Sequence, residues 1–377
     1  MKIRILKAVY WFLLLVAFLY SYREFLFKKL QKYRYSNSIK YLLLLMMFSV
    51  FTAYYSWSQP FDLSIRGLLP YLSFVLFFVL LKLQPNLELI EKLIWMFCFS
   101  YIICYLYSLF NFPNVTFGDE SKGIHSNRGV YRFFIPGRSF IYLGFFLALS
   151  KYSIKKSKFW LISTIALFAF IVLHVIRQYI LITFVIGFFV IFKELVLWKK
   201  ISFISVVVLI VSYVYSRLPF LQLLVKITEG QIVNSGSEDI RTKAYSFFFT
   251  EFSPNIFSFL FGNGVPHYSS PYGSYYIHTL NYKGIYMSDV GYAQVFALFG
   301  LLGLLILVHL FYKVIVQKDI KVECSFAKWY IIFLAFANVL SGLVLLNSTI
   351  LTICIALYVL ESCYSSQNNL MIEVDEK

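Results

Sequence analysis

Charge is what this chain has least of. Only 14% of its 377 residues are Asp, Glu, Lys or Arg, against roughly 25% in an average globular protein. With 60% hydrophobic and 21% aromatic residues and a mean hydropathy of +0.74, an ordinary soluble domain is excluded. Acids are scarcer than bases, 18 against 34, for a net charge of +16. The basic excess is dealt out between apolar runs and not gathered on one face, so topology explains it and no nucleic acid is expected. Cysteine is scarce too. Cys98, Cys104, Cys324, Cys354 and Cys363 all fall in predicted spans or on the cytoplasmic side, so no disulfide framework is expected and no zinc spacing appears. Also missing are a phosphate-binding glycine loop, a Ser-His-Asp spacing and any carboxylate–histidine cluster suited to a divalent ion. No metal and no cofactor are expected. No polar block is long enough to fold separately, so residues 1–377 read as a single membrane domain.

What the chain does have is apolar runs. A spanning helix needs about 20 mostly apolar residues, and eleven runs qualify, some short: 6–22, 41–58, 67–84, 93–112, 136–151, 159–176, 178–194, 201–217, 289–312, 327–346 and 348–364. The expected fold is all-α and polytopic, with about 11 transmembrane helices. Residues 1–22 carry Lys2, Arg4 and Lys7 before an apolar run but no small-residue cleavage site near Tyr20-Ser21-Tyr22, which reads as an uncleaved span. The loop after it holds Arg23, Lys28, Lys29, Lys32, Arg34 and Lys40 against Glu24 alone, and such loops face the cytoplasm. Counting onward, Lys151, Lys155, Lys156 and Lys158 fall inside, as do Lys193, Lys199 and Lys200, and then Lys313, Lys318 and Lys321. The same alternation leaves the N-terminus, with its three bases, outside.

Two external segments stand out, 113–138 and 217–288. The second lies between the eighth and ninth spans, and loops beyond about 12–15 residues are commonly functional. It holds a stretch with helical character from Asp239 to Phe252, then Gly262-Asn263-Gly264-Val265-Pro266 as a turn cluster. Tyr268, Tyr272, Tyr275, Tyr276, Tyr282 and Tyr286 follow. Tyrosine rings beside Ser and Asn suit sugar faces, and they equally suit packing or an aromatic belt at the membrane interface.

Seven of the ten arginines, Arg66, Arg128, Arg132, Arg138, Arg177, Arg217 and Arg241, fall on the side where positive charge should be rarest. The guanidinium fork matches phosphate and carboxylate geometry, so a large anionic substrate outside would account for them. Arg177 sits in His174-Val175-Ile176-Arg177-Gln178, at a hairpin of a few residues between two apolar runs; a charge there is functional by default, or an interfacial anchor. Arg241 begins an amphipathic stretch and either meets a headgroup or pairs with Glu238 or Asp239. Arg66 opens the third span just after Asp62, an ion-pair partner at hand. For proton transfer the candidates are His125, His267, His278 and Asp289, with His278 preferred; Asp289 also reads as a helix N-cap. His174 and His309 read as packing residues with a satisfied ring.

In order and topology these motifs resemble the O-antigen polymerase and O-antigen ligase superfamily, membrane enzymes of bacterial surface polysaccharide (lipopolysaccharide, capsule) assembly. Leu63-Ser64-Ile65-Arg66-Gly67-Leu68-Leu69 looks like that family's arginine at the head of an early span. Arg177 looks like its arginine after a tight external turn, with Ile176 in place of the usual serine. Arg241 and Tyr245, then Phe261-Gly262-Asn263-Gly264, resemble its Arg-x-x-x-Trp segment and Gly-x-Gly turn. Ser288-Asp289-Val290-Gly291-Tyr292 and Phe299-Gly300-Leu301-Leu302-Gly303 are similar to its following helix. The chain departs from the ligases, which carry a histidine where Ser288-Asp289 stands.

The resemblance implies metal-independent glycosyl transfer in the bacterial inner membrane. The donor would be an undecaprenyl-diphosphate-linked oligosaccharide, with membrane lipids around it and chain-length regulator and flippase proteins as partners. Arg177 and Arg241 would take the diphosphate, Arg66 and Arg132 would support them, and His278 or Asp289 would serve the acceptor hydroxyl. Ligation to a lipid core is the near alternative, and a flippase of lipid-linked saccharide the more distant one.

Overall fold

A computed structural model of the chain describes residues 12–13, 15–22, 33–112, 117, 133–193, 240–318 and 320–375. Among these the secondary structure is helical: α1 Ser36–Trp57, α2 Phe61–Leu83, α3 Leu87–Phe110, α4 Arg138–Lys155, α5 Lys158–Leu173, α6 Arg177–Lys193, α7 Ile240–Thr250, α8 Ile256–Phe261, α9 Pro271–Lys283, α10 Gly291–Val316, α11 Ser325–Ala337 and α12 Asn347–Asp375. Five of them are long and apolar enough to cross a membrane: α1, α2, α3, α10 and the Asn347–Tyr364 part of α12. Helices α5 and α6 are shorter apolar helices. The expected span 201–217 and the site candidates Arg128, Arg132, His125 and Arg217 lie outside the described residues.

The chain divides into two compact units, one of residues 1–95 with 241–377 and one of residues 96–240. In the first, α1 packs on α10, α8 and α2, while α12 packs on α2 and α11. Its long helices run between two poles. At one, Glu361 of α12 accepts the backbone N–H groups of Arg34 and Tyr35 at 2.8 and 3.0 Å, satisfying donors at the start of α1 that no helical turn can. Lys313 bonds the Arg34 carbonyl there, Tyr35 bonds Gln317, and Lys328 bonds the Gln317 carbonyl. At the other pole Trp57, at the end of α1, donates to Asn263 at 2.7 Å.

Two of the long helices are broken. In α2, Pro70 lacks an N–H and blocks an α turn, so Leu69–Val75 winds as a 3-10 segment between two α segments. The helix starts at Phe61, earlier than the expected 67, which puts Arg66 within it and not at its head. In α10 the break is at Gly300, with φ 71° and ψ −174°, a region only glycine enters readily. The break leaves carbonyls without helical donors, and an irregular strand of chain supplies them. The N–H groups of Asn263 and Gly264 donate to the Ala297 and Leu298 carbonyls at 3.0 Å each, and the Asn263 side chain adds a second bond to Ala297 at 2.9 Å. Thr52 donates to the Gly262 carbonyl at 2.6 Å and Gln59 to that of Val265 at 2.9 Å. Irregular backbone buried among membrane helices persists only when its polar groups are paired this way. The glycine cluster, expected as a turn in an external segment, is therefore a buried segment sealing a helix break.

Further corrections belong to this unit. Helix α11 stops at Ala337, well before the expected 346, because Asn338, Ser341 and Gly342 favour side-chain and loop bonding over helix: Asn338 Oδ1 accepts from Val344 N–H at 3.3 Å, and Gly342 N–H donates to Ser288 at 2.7 Å. Cys324 and Cys363, where no disulfide was expected, are disulfide-bonded with Cα atoms 6.8 Å apart; the packing of α11 on α12 brings together residues 39 apart, which spacing does not reveal. His309, expected to pack, lies exposed on α10.

In the second unit α4 packs on α5 and α6, and α5 on α6. Residues 139–150 of α4 are buried without interruption, as expected of a helix apolar on every face. Each of these helices has Arg at one end and Lys at the other where it carries both: α4 runs from Arg138 to Lys155 and α6 from Arg177 to Lys193, while α5 starts at Lys158 and ends beside His174.

Candidate functional site

The second unit holds the more tightly built candidate. The link from α5 to α6 is only His174, Val175 and Ile176. His174 N–H still bonds back to Phe170 and Ile171, and Val175 N–H to Val172 at 2.9 Å. Val175 then turns to φ 56°. That left-handed conformation costs a β-branched residue roughly 1–2 kcal/mol, and Val175 is buried at 2% exposure. Neighbours hold it. Tyr101 of α3 meets His174 Nε2 at 2.9 Å and Tyr142 of α4 meets Nδ1 at 3.0 Å. The Tyr105 hydroxyl donates to the Leu173 carbonyl at 3.2 Å, one of the acceptors left over at the end of α5. The Tyr142 ring also packs edge-on against Tyr179, in the first turn of α6, at 5.5 Å. Arg177 begins α6 immediately after this turn and is half-buried. Arg138, at the start of α4, lies within electrostatic reach of the Tyr101 hydroxyl. His174 thus has the satisfied ring the sequence reading expects, at both nitrogens. Sequence reasoning missed the clamp because its tyrosines lie 32 to 73 residues away.

In the first unit Arg66, Arg241, His278 and Asp289 all lie toward the pole of Trp57, and all four are exposed. None bonds to another. Arg66 is 3.7 Å from Asp62 in a solvated pair, 66% and 62% exposed, which realises the local ion pair. Arg241 begins α7, whose buried face is Ala244, Phe247 and Phe248; Tyr245 of the same helix bonds the Val339 carbonyl. Asp289 is not the N-cap of α10. It sits in a 3-10 turn, Met287–Asp289, Val290 takes the cap position without a side-chain bond, and Asp289 meets only Ser288, at 3.4 Å.

His278 rides on α9, and the sequence places that helix through Gln59. The Gln59 side chain is fully buried and donates to Ser64 and Val265 at 2.9 Å each. Its oxygen accepts from His267 N–H at 3.0 Å and from Ser270 at 2.6 Å. Ser270 in turn caps α9 by accepting from Gly273 N–H at 2.9 Å. Tyr272 is buried and stacks on Trp57 at 4.7 Å, whereas Tyr268 and Tyr282 are 76% and 86% exposed. The tyrosine-rich stretch therefore divides into packing rings and presented rings. On the presented face Ser274, Ile277, His278, Asn281 and Tyr282 line an open concavity of about 530 Å³. Hydroxyl, imidazole, amide and an exposed ring without a formal charge suit a neutral, hydroxyl-rich ligand better than an anion. His267, the other described histidine of this stretch, is committed: its Nδ1 accepts from Ser269 N–H and its ring stacks on Tyr268.

Among the described residues no group of three or more His, Cys, Asp or Glu side chains converges in a way that would hold a metal ion. Comparison with family models, with curated proteins and with solved structures finds no match for the chain.

Proposed function

We propose that this chain is a polytopic inner-membrane glycosyltransferase of about eleven spans that polymerises lipid-linked oligosaccharide repeat units. It would move a growing glycan from undecaprenyl diphosphate to a sugar hydroxyl of the next unit, on the extracytoplasmic side. The observation that carries this reading is the separation of arginine from lysine within each unit. Arg138 and Arg177 stand at the ends of α4 and α6 opposite Lys155 and Lys193. Arg66 and Arg241 stand toward the Trp57 pole, away from Lys82, Lys313 and Lys328; Arg34, Lys243 and Lys283 are the exceptions. With the lysine ends cytoplasmic, the guanidinium groups face the compartment where a lipid diphosphate would be presented.

The chemistry asks little else of the protein. The acceptor hydroxyl attacks the anomeric carbon, the bond from that carbon to the diphosphate oxygen breaks, and a base takes the hydroxyl proton. Diphosphate is already a good leaving group, so charge neutralisation and orientation supply the rate. Arg177 in the second unit and Arg241 in the first are each a candidate for the diphosphate, with Arg132 and Arg66 as the supporting candidates of those same units. His278, in its concavity of neutral hydrogen-bonding groups, serves the acceptor; Asp289, exposed and relieved of capping, is the second candidate.

The test is Arg177→Lys and Arg241→Lys in purified protein supplied with lipid-linked repeat units. Lysine keeps the charge but loses the fork, and a lost charge-assisted contact of about 1.5–3 kcal/mol lowers the rate on the order of ten- to a hundredfold. Single repeat units should accumulate on the carrier at normal membrane levels of protein. Wild-type polymer from both variants would reduce these arginines to interfacial anchors.

A further inference from the structure

His174 sits where a helix ends, a strained residue follows and a half-buried arginine begins the next helix. Three tyrosines from two other helices converge on this point. Tyr101 and Tyr142 occupy both ring nitrogens, and Tyr105 takes the last carbonyl of α5. Tyr142 reaches further, its ring resting on Tyr179 two residues past Arg177. The turn is therefore gripped on both sides of Val175, the residue whose backbone is least able to hold its conformation unaided. A packing histidine needs one partner for its N–H. A ring bonded at both nitrogens is fixed in rotation as well as in place, because turning it would break two bonds at once. The hydrogen-bond roles add direction: a neutral imidazole donates from one nitrogen and accepts at the other, so one tyrosine hydroxyl donates to the ring and the other accepts from it.

Resting on the glycosyl-transfer reading above, we propose that His174 is a positioning residue for Arg177: clamped by Tyr101 and Tyr142, it holds the 174–176 turn so that the Arg177 guanidinium meets the diphosphate at a fixed depth and angle. The imidazole touches no substrate. Its contribution is geometric, and geometry of this kind is steep: a misplacement of about 1 Å costs on the order of a hundredfold in rate.

The experiment is a double-mutant cycle in the full chain, purified and supplied with lipid-linked repeat units from its own cells. Wild type, His174→Phe, Arg177→Lys and the double variant are compared for transfer rate at saturating donor and for thermal midpoint in the same detergent. Phenylalanine keeps a flat ring but loses both bonds. His174→Phe should lower the saturated rate about ten- to a hundredfold, and the double variant should be no slower than the worse single variant within about twofold, because both changes remove the same contact. If His174→Phe does not accumulate, Tyr142→Phe takes its place in the cycle, and a smaller loss with the same non-additivity is expected. Three results overturn the proposal: a double variant as slow as the product of the two singles, His174→Phe at full rate while Arg177→Lys is slow, or rate losses that follow the thermal midpoint alone. The second of these leaves the Arg177 assignment standing, Arg177→Lys at full rate removes that assignment and this proposal with it, and a wild-type chain that transfers no glycan removes the glycosyl-transfer reading itself.

Discussion

The two units interrupt their helices by opposite means. In the first, the break in α10 at Gly300 is sealed by backbone: Asn263 and Gly264 N–H groups fill the Ala297 and Leu298 carbonyls. In the second, the turn between α5 and α6 is sealed by side chains, with tyrosine hydroxyls on an imidazole and on a carbonyl. A backbone seal depends on two chain segments approaching to contact distance, and it either closes or does not. A side-chain seal can be loosened one hydroxyl at a time. The half-buried arginine stands at the second kind, where geometry can be tuned without the fold being lost.

The largest effect should come from the backbone seal. A methyl on Gly300 would force a conformation that L residues rarely adopt and would collide with the Gly262 N–H and the Leu260 carbonyl. The backbone conformation alone costs of order 1–3 kcal/mol, and overpacking adds roughly 1–3 more. Gly300→Ala should therefore fail to reach normal membrane levels, or lose most of its thermal stability, as read by fluorescence-detected chromatography of the solubilised protein. A variant of wild-type stability would show that the α10 break is not sealed as described and would erase the contrast between the units.

The next effect sharpens the contrast inside the first unit, where the Gln59 side chain ties the irregular segment to the start of α9. Replacing it with leucine strands acceptors and donors at Val265, Ser270 and His267, at about 1–3 kcal/mol for buried groups left unpaired. Gln59→Leu should lower the thermal midpoint less than Gly300→Ala, and it should speed amide exchange at residues 267–273 while leaving 297–300 protected. Exchange rising equally in both stretches would mean that side chains, not backbone, hold the α10 break.

How far the sequence foretold this varies by element. The starts of α4, α5 and α6 are legible to within two residues because each apolar run begins at a charged residue, Arg138, Lys158 or Arg177, which belongs at a helix end in a low-dielectric setting; the far ends of α4 and α5 fall at Lys155 and Leu173, not at the expected 151 and 176. The helical stretch near 239–252 is legible from its amphipathic spacing and appears as α7. The α10 break is not, because Phe299-Gly300-Leu301 reads as uninterrupted helix until Gly262 is known to lie against it. The motifs at 261–264 and 299–303 that carry the family resemblance turn out to touch each other, so packing alone accounts for their glycines. Arg177 stands out locally, but what holds it does not. Tyr101, Tyr105 and Tyr142 are three of 30 tyrosines, and only the fold selects them.

The smallest effect separates Arg177 from Arg66, to which the resemblance gives only a supporting role. Arg177 is half-buried behind a clamped turn, while Arg66 is 66% exposed and reaches Asp62 only at 3.7 Å, at i,i+4 spacing on α2. Exposed pairs of this kind are worth about 0–1 kcal/mol and are screened by salt. Asp62→Asn should consequently leave the thermal midpoint nearly unchanged, and it frees a guanidinium to meet an anion. The transfer rate at subsaturating donor should hold or rise by up to about threefold, a gain that fades in high salt. A tenfold loss would contradict this account, since removing a neighbouring negative charge can weaken an anion contact only if Asp62 itself orients Arg66. The outcome ranks the arginines by their surroundings: where solvent surrounds the guanidinium a neighbour matters little, and where the arginine follows a turn held by three tyrosines those neighbours matter a great deal.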